Sequence, residues 1–328
     1  MRDSALYHAT VMPLKNIRIG NKSNYHAIRE IIRDSMQKDL DGGIYKTLKW
    51  VAYQKWNNNQ SDSPSFSCPH CLNDVDGLKY DADTGSCNMC HKEIWLTDMI
   101  GFHLDMEEDS APESIATSYM LIHETLFLFW FISYLWNKGN SNDLSKILFI
   151  KDGPLTLRSQ YSKLVPNIRN FLQYAKEQGT PVYIIGQEKT GKFYDHLKSI
   201  EKYVSPSVKG ELPAFSVLTH KDVRQHVYRV PDLRNPYGKR TNYGEKVYVK
   251  LDPFTSLVIN ITTGEYSSNE NFPQKDDLIG FDRILATLPG LISHRHEGAL
   301  IPIELANGVA SLSSYPSAAI LKVFSGIG

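Results

Sequence analysis

Several features that would narrow the function are scarce or absent in this 328-residue sequence. Its 36 Lys and Arg residues balance its 36 Asp and Glu residues, so any attraction to nucleic acid must come from a local basic surface. No early apolar run with a basic flank indicates a signal peptide, and there is no internal repeat. The most apolar stretch, from Leu126 to Trp136, is shorter than the roughly 20 residues that cross a bilayer. We therefore expect a soluble, cytoplasmic protein in which this stretch is a buried helix.

Cysteine is scarce as well, and the four cysteines form one group. Cys68 and Cys71 make one Cys-x-x-Cys pair, and Cys87 and Cys90 make a second pair fifteen residues later. Four thiolates at this spacing complete a tetrahedral zinc shell of the structural type. Two disulfides are the alternative, which a secreted protein would favour. The sequence therefore predicts a small zinc ribbon, which by itself indicates no substrate.

The centre of the chain predicts a strand, a helix and a second strand. Residues 147–150 are apolar and lead into Lys151 and Asp152, and apolar residues recur at helical spacing from Leu164 to Ala175. A second apolar strand, Pro181 to Ile185, follows. Strands joined by such a crossover are parallel, so Asp152 and the segment 186–189 should end at the same sheet edge. Open α/β sheets bind ligands and metals at that edge, although Asp152 could instead be a turn residue before Gly153.

The remaining patterns complete the prediction of a mixed α/β protein. Helical spacing is found in three further segments, and alternating polarity in two. The helices are expected at Tyr25 to Met36, Ile44 to Trp56 and Ser114 to Trp136, and the strands at Val247 to Leu251 and Ser256 to Ile261.

Residues 221–250 are locally basic, with eight Lys or Arg residues against three acidic ones and with tyrosines between them. Cations with spaced aromatic rings can bind a phosphate backbone and stack on bases. An antiparallel hairpin with a charged outer face explains the same pattern equally well. The predicted nucleic-acid contacts are Arg224, Arg229, Lys239, Arg240, Tyr243 and Lys246.

Residues 186–192 match the first seven positions of a phosphate-binding loop. The eighth position is Phe193, where a hydroxyl should bind Mg²⁺. Glu188 would also bring a negative charge into the phosphate cradle. We therefore do not predict a nucleotide site here.

Four segments in this order and spacing resemble the NurA nuclease family, in its larger bacterial branch. They are residues 149–155, 184–191, 242–248 and 300–306, and the resemblance covers roughly residues 15–325. It implies an RNase H-like mixed sheet with flanking helices and an inserted zinc ribbon. It also implies a manganese-dependent (or magnesium-dependent) nuclease that acts on DNA ends in DNA repair or antiviral defence. The implied assembly is a homodimer that works with a HerA-type hexameric ATPase.

The resemblance also assigns roles to residues. Asp152 would be a metal ligand, and Glu124 would be the equivalent of the family's helix carboxylate. Lys189 would contact a phosphate or a carboxylate, and Asn307 stands where the family usually has histidine. Glu124 could instead mark the solvent side of a helix, and Lys189 could cap a loop. The implied domains are an N-terminal helical segment (1–60), the zinc ribbon (61–100) and the core (101–328).

Two functions remain in competition at this point. A nuclease would use two metal ions to activate water and to stabilise the leaving oxygen. The family's Asp-Gly-Ser motif is not found in the sequence, and an asparagine at position 307 cannot exchange a proton at neutral pH. A NurA-like subunit that binds DNA or the motor ATPase without cleaving is therefore the alternative.

Overall fold

The computed structural model describes residues 23–107, 112–201, 213–229, 237–264, 273–293, 295–296 and 298–308. It shows a mixed α/β protein. The helices are α1 (Asn24–Lys38), α2 (Gly43–Ala52), α3 (Ser114–Asn137), α4 (Ser141–Leu144), α5 (Val165–Glu177), α6 (Lys192–Ile200), α7 (His220–Asp222), α8 (Phe281–Thr287) and α9 (residues 301–308). The strands are β1 (Phe66–Ser67), β2 (Asp74–Val75), β3 (Thr84–Ser86), β4 (Glu93–Trp95), β5 (Leu148–Asp152), β6 (Tyr183–Glu188), β7 (Ala214–Val217), β8 (Gly244–Lys250) and β9 (Ser256–Thr262).

Five strands form the main sheet in the order β5-β6-β9-β8-β7. The predicted crossover is confirmed, because β5 and β6 are parallel and α5 lies between them in sequence. The predicted hairpin is also confirmed, since β8 and β9 pair antiparallel. However, the hairpin does not have the charged, solvated outer face that this alternative assumed. Nearly every residue of both strands is buried, because helices cover both faces of the sheet.

Each face of the sheet has its own helical cover. Ile184 packs in one core with residues of α3 and α5, while α6 extends the cover of that face over β8 and β9. Its neighbour Ile185 belongs to a second core with Phe281 and Ile284 of α8. Alternate residues of a strand point to opposite faces, so β6 is buried between both helical layers.

The long helix α3 begins and ends close to its predicted bounds. It has 24 residues, so it extends well beyond the apolar run from Leu126 to Trp136. Among the residues described, it is the one helix whose length and composition would suit a membrane crossing, and 44% of its most apolar window is buried within the protein. A core helix of a soluble protein meets the same criteria, so α3 does not decide between these environments.

The first core includes side chains from each of the three predicted domains. Ile28 and Leu48 come from the N-terminal helices, Cys68 and Ile94 come from the cysteine segment, and Phe171 comes from α5. These segments therefore share one buried cluster. Residues 1–22 and 309–328, on which parts of the predicted terminal segments fall, lie outside the described residues.

Candidate functional site: a cysteine cluster and the edge of the sheet

The four cysteine sulfur atoms lie within 4.8 Å of one another. Cys68 Sγ is 3.7 Å from Cys90 Sγ, and Cys71 Sγ is 3.7 Å from Cys87 Sγ. None of the four forms a disulfide. A tetrahedral ion with metal–sulfur distances of about 2.3 Å requires sulfur–sulfur separations of about 3.8 Å, so this group can hold a metal such as zinc.

Two short hairpins bring the sulfur atoms together by the same local geometry. In the first, the backbone N–H of His70 donates to Cys68 Sγ, and the N–H of Leu72 donates to the carbonyl of Cys68. In the second, Met89 and His91 donate equivalently to Cys87. Leu72 and His91 both have positive φ, at 59° and 56°. Each Cys-x-x-Cys pair therefore lies on a tight turn between antiparallel strands.

A buried ion pair connects the cysteine hairpins to the helical layer. The Arg29 guanidinium of α1 donates to both oxygens of Asp98, at 2.6 and 2.5 Å, and to the carbonyl of Glu93 at 3.2 Å. Asp98 also accepts from the backbone N–H of Trp95, and the Arg29 guanidinium lies 3.7 Å from the centre of the Trp95 ring. A guanidinium that makes two parallel hydrogen bonds to a carboxylate and also stacks on a ring is held in a single orientation. This contact therefore fixes β4 against α1.

The sheet edge brings together three of the four residues that the resemblance assigned there. Asp152 is the last residue of β5 and is directly opposite Gln187 on β6. The Lys189 ammonium lies 3.0 Å from Asp152 Oδ2, and the Asn307 amide nitrogen lies 3.5 Å from the same oxygen. The Asp152 side chain is 49% exposed, so solvent and a ligand can reach it.

Two residues that the sequence analysis did not single out position this edge. Gln187 is fully buried, accepts from the backbone N–H of Leu300 at 3.1 Å and donates to the carbonyl of Gly298. It therefore fixes the chain that leads into α9, which carries Asn307. Gly186 is needed because a Cβ there would lie 2.5 Å from the carbonyl of Gly153. A buried glutamine at the end of an apolar strand was the available signal for this role.

The fourth residue, Glu124, lies on the other side of β5. Its carboxylate is 3.5 Å from the ammonium of Lys151, which is buried and precedes Asp152 on the strand. Consecutive strand residues face opposite sides: Lys151 points to α3, whereas Asp152 points to α9. The two carboxylates thus flank one strand and each has its own lysine partner.

The predicted manganese ligands, Asp152 and Glu124, are not part of a converging group of three or more ligands in the described residues. Within the described ranges, the cysteine cluster is the one set of three or more His, Cys, Asp or Glu residues whose ligand atoms converge. His296 and His294 lie near Asn307 in sequence and could replace the histidine that the family has there; His296 is 3.8 Å from Glu304 on α9. His294 lies outside the described residues. What converges at the edge is one carboxylate, one ammonium group and one amide.

The six predicted nucleic-acid contacts divide into two classes. Arg229, Lys239 and Arg240 are exposed and Arg224 is half-buried. Tyr243 and Lys246 are buried, with 0% and 3% exposure. Those two predictions are wrong, because a buried ring cannot stack on a base and a buried ammonium cannot reach a phosphate.

Lys246 instead belongs to an internal polar network. Its ammonium donates to the carboxylate of Glu188 and, at 3.2 Å, to the amide oxygen of Asn260, whose nitrogen donates to Glu188 at 2.8 Å. Burial lowers the pKa of Lys246, and the Glu188 charge opposes that effect. Glu188 is the last residue of β6, so the first three residues of the segment that matched a phosphate-binding loop belong to a strand.

A scan against protein-family models found no match to this chain, and neither the curated proteins nor the solved structures gave a significant match.

Proposed function

We propose that this protein is a NurA-type, metal-dependent deoxyribonuclease in which Asp152 is a ligand of the catalytic Mn²⁺ or Mg²⁺. The observation that carries the proposal is the half-exposed carboxylate at the carboxyl end of β5, with Lys189 and Asn307 on one of its oxygens. Sheet edges of this kind bind ligands. Lys189 is placed to neutralise phosphate charge once a cation binds Asp152.

In this proposal the core is an RNase H-like sheet, and the cysteine cluster is a zinc ribbon. The sulfur separations of 3.7 Å and the two matching turns support zinc, because four thiolates form its closed, structural coordination shell. The ribbon stabilises the fold and takes no part in the chemistry. The proposed partners are DNA, a HerA-like hexameric ATPase and a second copy of the chain.

A specific observation favours the second candidate, a NurA-like subunit that binds DNA or the motor without cleaving. Glu124 and Asp152 face opposite sides of β5, and each has a lysine partner. A two-metal site needs several carboxylates around the ions. For the first candidate to hold, a further acidic group from a partner subunit or from outside the described residues must join Asp152.

Cleavage of labelled single- and double-stranded DNA with Mn²⁺ separates the two candidates. We expect cleavage by the wild-type protein, with and without the motor ATPase, and its loss in Asp152→Ala. The matched control is Asp143→Ala, because Asp143 is also an exposed carboxylate with a lysine ammonium at 3.0 Å.

The outcomes are distinct. Cleavage that persists in Asp152→Ala would place the chemistry elsewhere. Absence of Mn²⁺-dependent cleavage in the wild type, together with tight binding of DNA or motor, would establish the second candidate. Equal losses in both variants would indicate a general effect of removing surface charge.

A further inference from the structure

An open cavity of about 500 Å³ lies beside the amino-terminal end of α5. It is formed where the segment before β1, the first turn of α5 and the loop before β8 meet. Four cationic side chains line it, and Asp62 is the one acidic residue among the lining residues. We call it the basic groove; its cations are Lys163, Arg169, Lys239 and Arg240.

The acidic residue among the described lining residues bonds to a lysine that is not one of the four groove cations. Asp62 accepts from the Lys79 ammonium at 2.8 Å and from the backbone N–H of Tyr80 at 2.9 Å. The positive end of the α5 dipole is added to the four cations, since Pro166 and Asn167 of the first turn also line the cavity. Four cationic side chains against one acidic side chain among the described lining residues give this concave site a positive charge, and such a site attracts an anionic ligand.

The groove is built from distant parts of the chain that are held together by specific bonds. Arg169 Nη1 donates to the carbonyl of Lys239 at 2.8 Å and to that of Asn242 at 3.4 Å. These bonds fix the loop before β8 against α5. They place Lys239 and Arg240, which the sequence already suggested, beside Lys163 and Arg169, which it did not.

The loop also connects the groove to the sheet edge. Leu157 N–H donates to the carbonyl of Thr241 at 2.9 Å, and Tyr243 N–H donates to that of Leu155 at 3.0 Å. The chain from Asp152 to Leu157 spans at most about 18 Å when extended. A strand of nucleic acid bound in the groove is thus within a few nucleotides of Asp152.

We infer that the basic groove binds the phosphodiester backbone of a single DNA strand. Proteins that bind single strands use such positively charged grooves to follow the backbone. No aromatic side chain is among the lining residues that the structure describes, so binding should depend on charge and be indifferent to sequence. The choice of DNA as the ligand rests on the proposed function. The inference adds the location at which the DNA strand binds.

The test measures binding without cleavage, by fluorescence anisotropy of a labelled single-stranded oligonucleotide in buffer lacking Mn²⁺ and Mg²⁺. The variant is Lys239→Glu/Arg240→Glu, because both side chains are exposed and their replacement should leave the fold intact. Lys38→Glu/Lys46→Glu is the matched control, since it changes the net charge equally at exposed positions of α1 and α2.

We expect the groove variant to bind roughly tenfold or more weakly at moderate salt, with the control unchanged. The slope of log affinity against log salt concentration should fall by about 1.4 in the groove variant, at about 0.7 for each phosphate that is no longer neutralised. Lys163→Glu should act in the same direction. A duplex and an RNA of the same sequence, measured in parallel, test the choice of ligand.

The outcomes separate this inference from the nuclease proposal. Wild-type binding that the groove variant retains, or an equal loss in the control, would overturn the inference and leave the proposed function standing. Loss of binding in the groove variant, together with no Mn²⁺-dependent cleavage by the wild type, would support the groove and overturn the nuclease. A wild-type protein that binds duplex or RNA more tightly than single-stranded DNA, or binds none of them, would contradict the inference.

Discussion

The cysteine cluster and the sheet edge are both candidate metal sites, and they are assembled in different ways. Each cysteine pair lies on one tight turn, and the two turns lie on neighbouring hairpins with matching hydrogen bonds. The sheet edge combines residues from β5, the end of β6 and α9. The cluster presents four converging ligands, whereas the edge presents one carboxylate with a cationic partner. The cysteine cluster is formed by residues close together in sequence and is complete within one segment. The sheet edge is formed by distant residues, so it depends on the packing of β5, β6 and α9.

The largest expected effect comes from removing a cysteine ligand. Cys87→Ser should abolish stoichiometric zinc binding and unfold both hairpins, because structural zinc contributes roughly 10 kcal/mol or more of apparent binding free energy in small domains. Metal content by atomic absorption and hydrogen exchange of residues 66–95 measure the two effects.

His70→Ala is the control for that comparison. The His70 ring bonds to the carbonyl of Glu93 rather than joining the cysteine sulfur atoms, so the variant should retain one zinc per chain. If Cys87→Ser also retains its zinc and its hairpins, the cluster is not a structural metal site.

The next effect concerns the ion pair that joins the cysteine hairpins to α1. Arg29→Met should cost about 3–5 kcal/mol in free energy of unfolding, because it leaves Asp98 buried without its cation. Arg33→Met is the matched control: Arg33 also lies over the Trp95 ring, at 3.9 Å, but its carboxylate partner Asp34 is exposed. It should cost under about 1.5 kcal/mol, with the exposed pair and the ring contact each contributing a fraction of that. Equal losses in urea unfolding would show that the ring contact, and not the buried pair, joins these regions.

A smaller effect on the free energy of unfolding should come from His103, a buried residue near Asp98, and it should depend on pH. Burial lowers the pKa of His103 below its usual 6.5, although the Asp98 charge opposes the shift. The unfolded chain therefore takes up a proton as the pH falls below about 6.5 while the folded chain does not, so stability should decrease there. The decrease is at most about 1.4 kcal/mol per pH unit.

His103→Gln removes this proton uptake. Urea unfolding at pH 7.5 and pH 5.5 should show a weaker pH dependence for the variant than for the wild type. An unchanged pH dependence would mean that other groups account for the loss of stability in acid.

The smallest effect on stability is expected at the sheet edge. Lys189→Met removes an ion pair whose members are 27% and 49% exposed. Exposed pairs contribute about 0–1 kcal/mol, so the free energy of unfolding should change by less than about 1 kcal/mol. A loss of several kcal/mol would mean that the Asp152–Lys189 pair has a structural role, which would weaken the functional assignment.

The sequence was informative where a pattern is local and less so where distant segments meet. Cysteine spacing predicted the cluster, and periodicity predicted α3, α5 and the parallel pairing of β5 with β6. The pairing of β6 with β9 depends on contacts across about 70 residues, and no local pattern encodes it. That pairing brings Asn260 to Glu188, and the pairing of β8 with β9 adds Lys246, which explains why a lysine that was expected to contact DNA is buried.

The same limit applied to the candidate site. Apolar residues followed by Asp152 correctly indicated a strand end. The Lys189 and Asn307 side chains, which the resemblance assigned to the same site, lie 3.0 and 3.5 Å from Asp152 Oδ2. Glu124 was expected to share a metal with Asp152, but its carboxylate on α3 pairs with Lys151, whose side chain leaves β5 on the face opposite to that of Asp152. Arg169 and Lys163 were not singled out, because only the folded chain brings α5 against the loop before β8.

The most direct test of the account is the binding of Mn²⁺ itself, measured by the electron paramagnetic resonance signal of free Mn²⁺ in titrations of zinc-loaded protein. We predict that the wild-type protein and Asp143→Ala bind Mn²⁺ and that Asp152→Ala does not. Equal binding by all three proteins, or no binding by any of them, would contradict the assignment of Asp152 as the ligand that holds a divalent cation at the sheet edge.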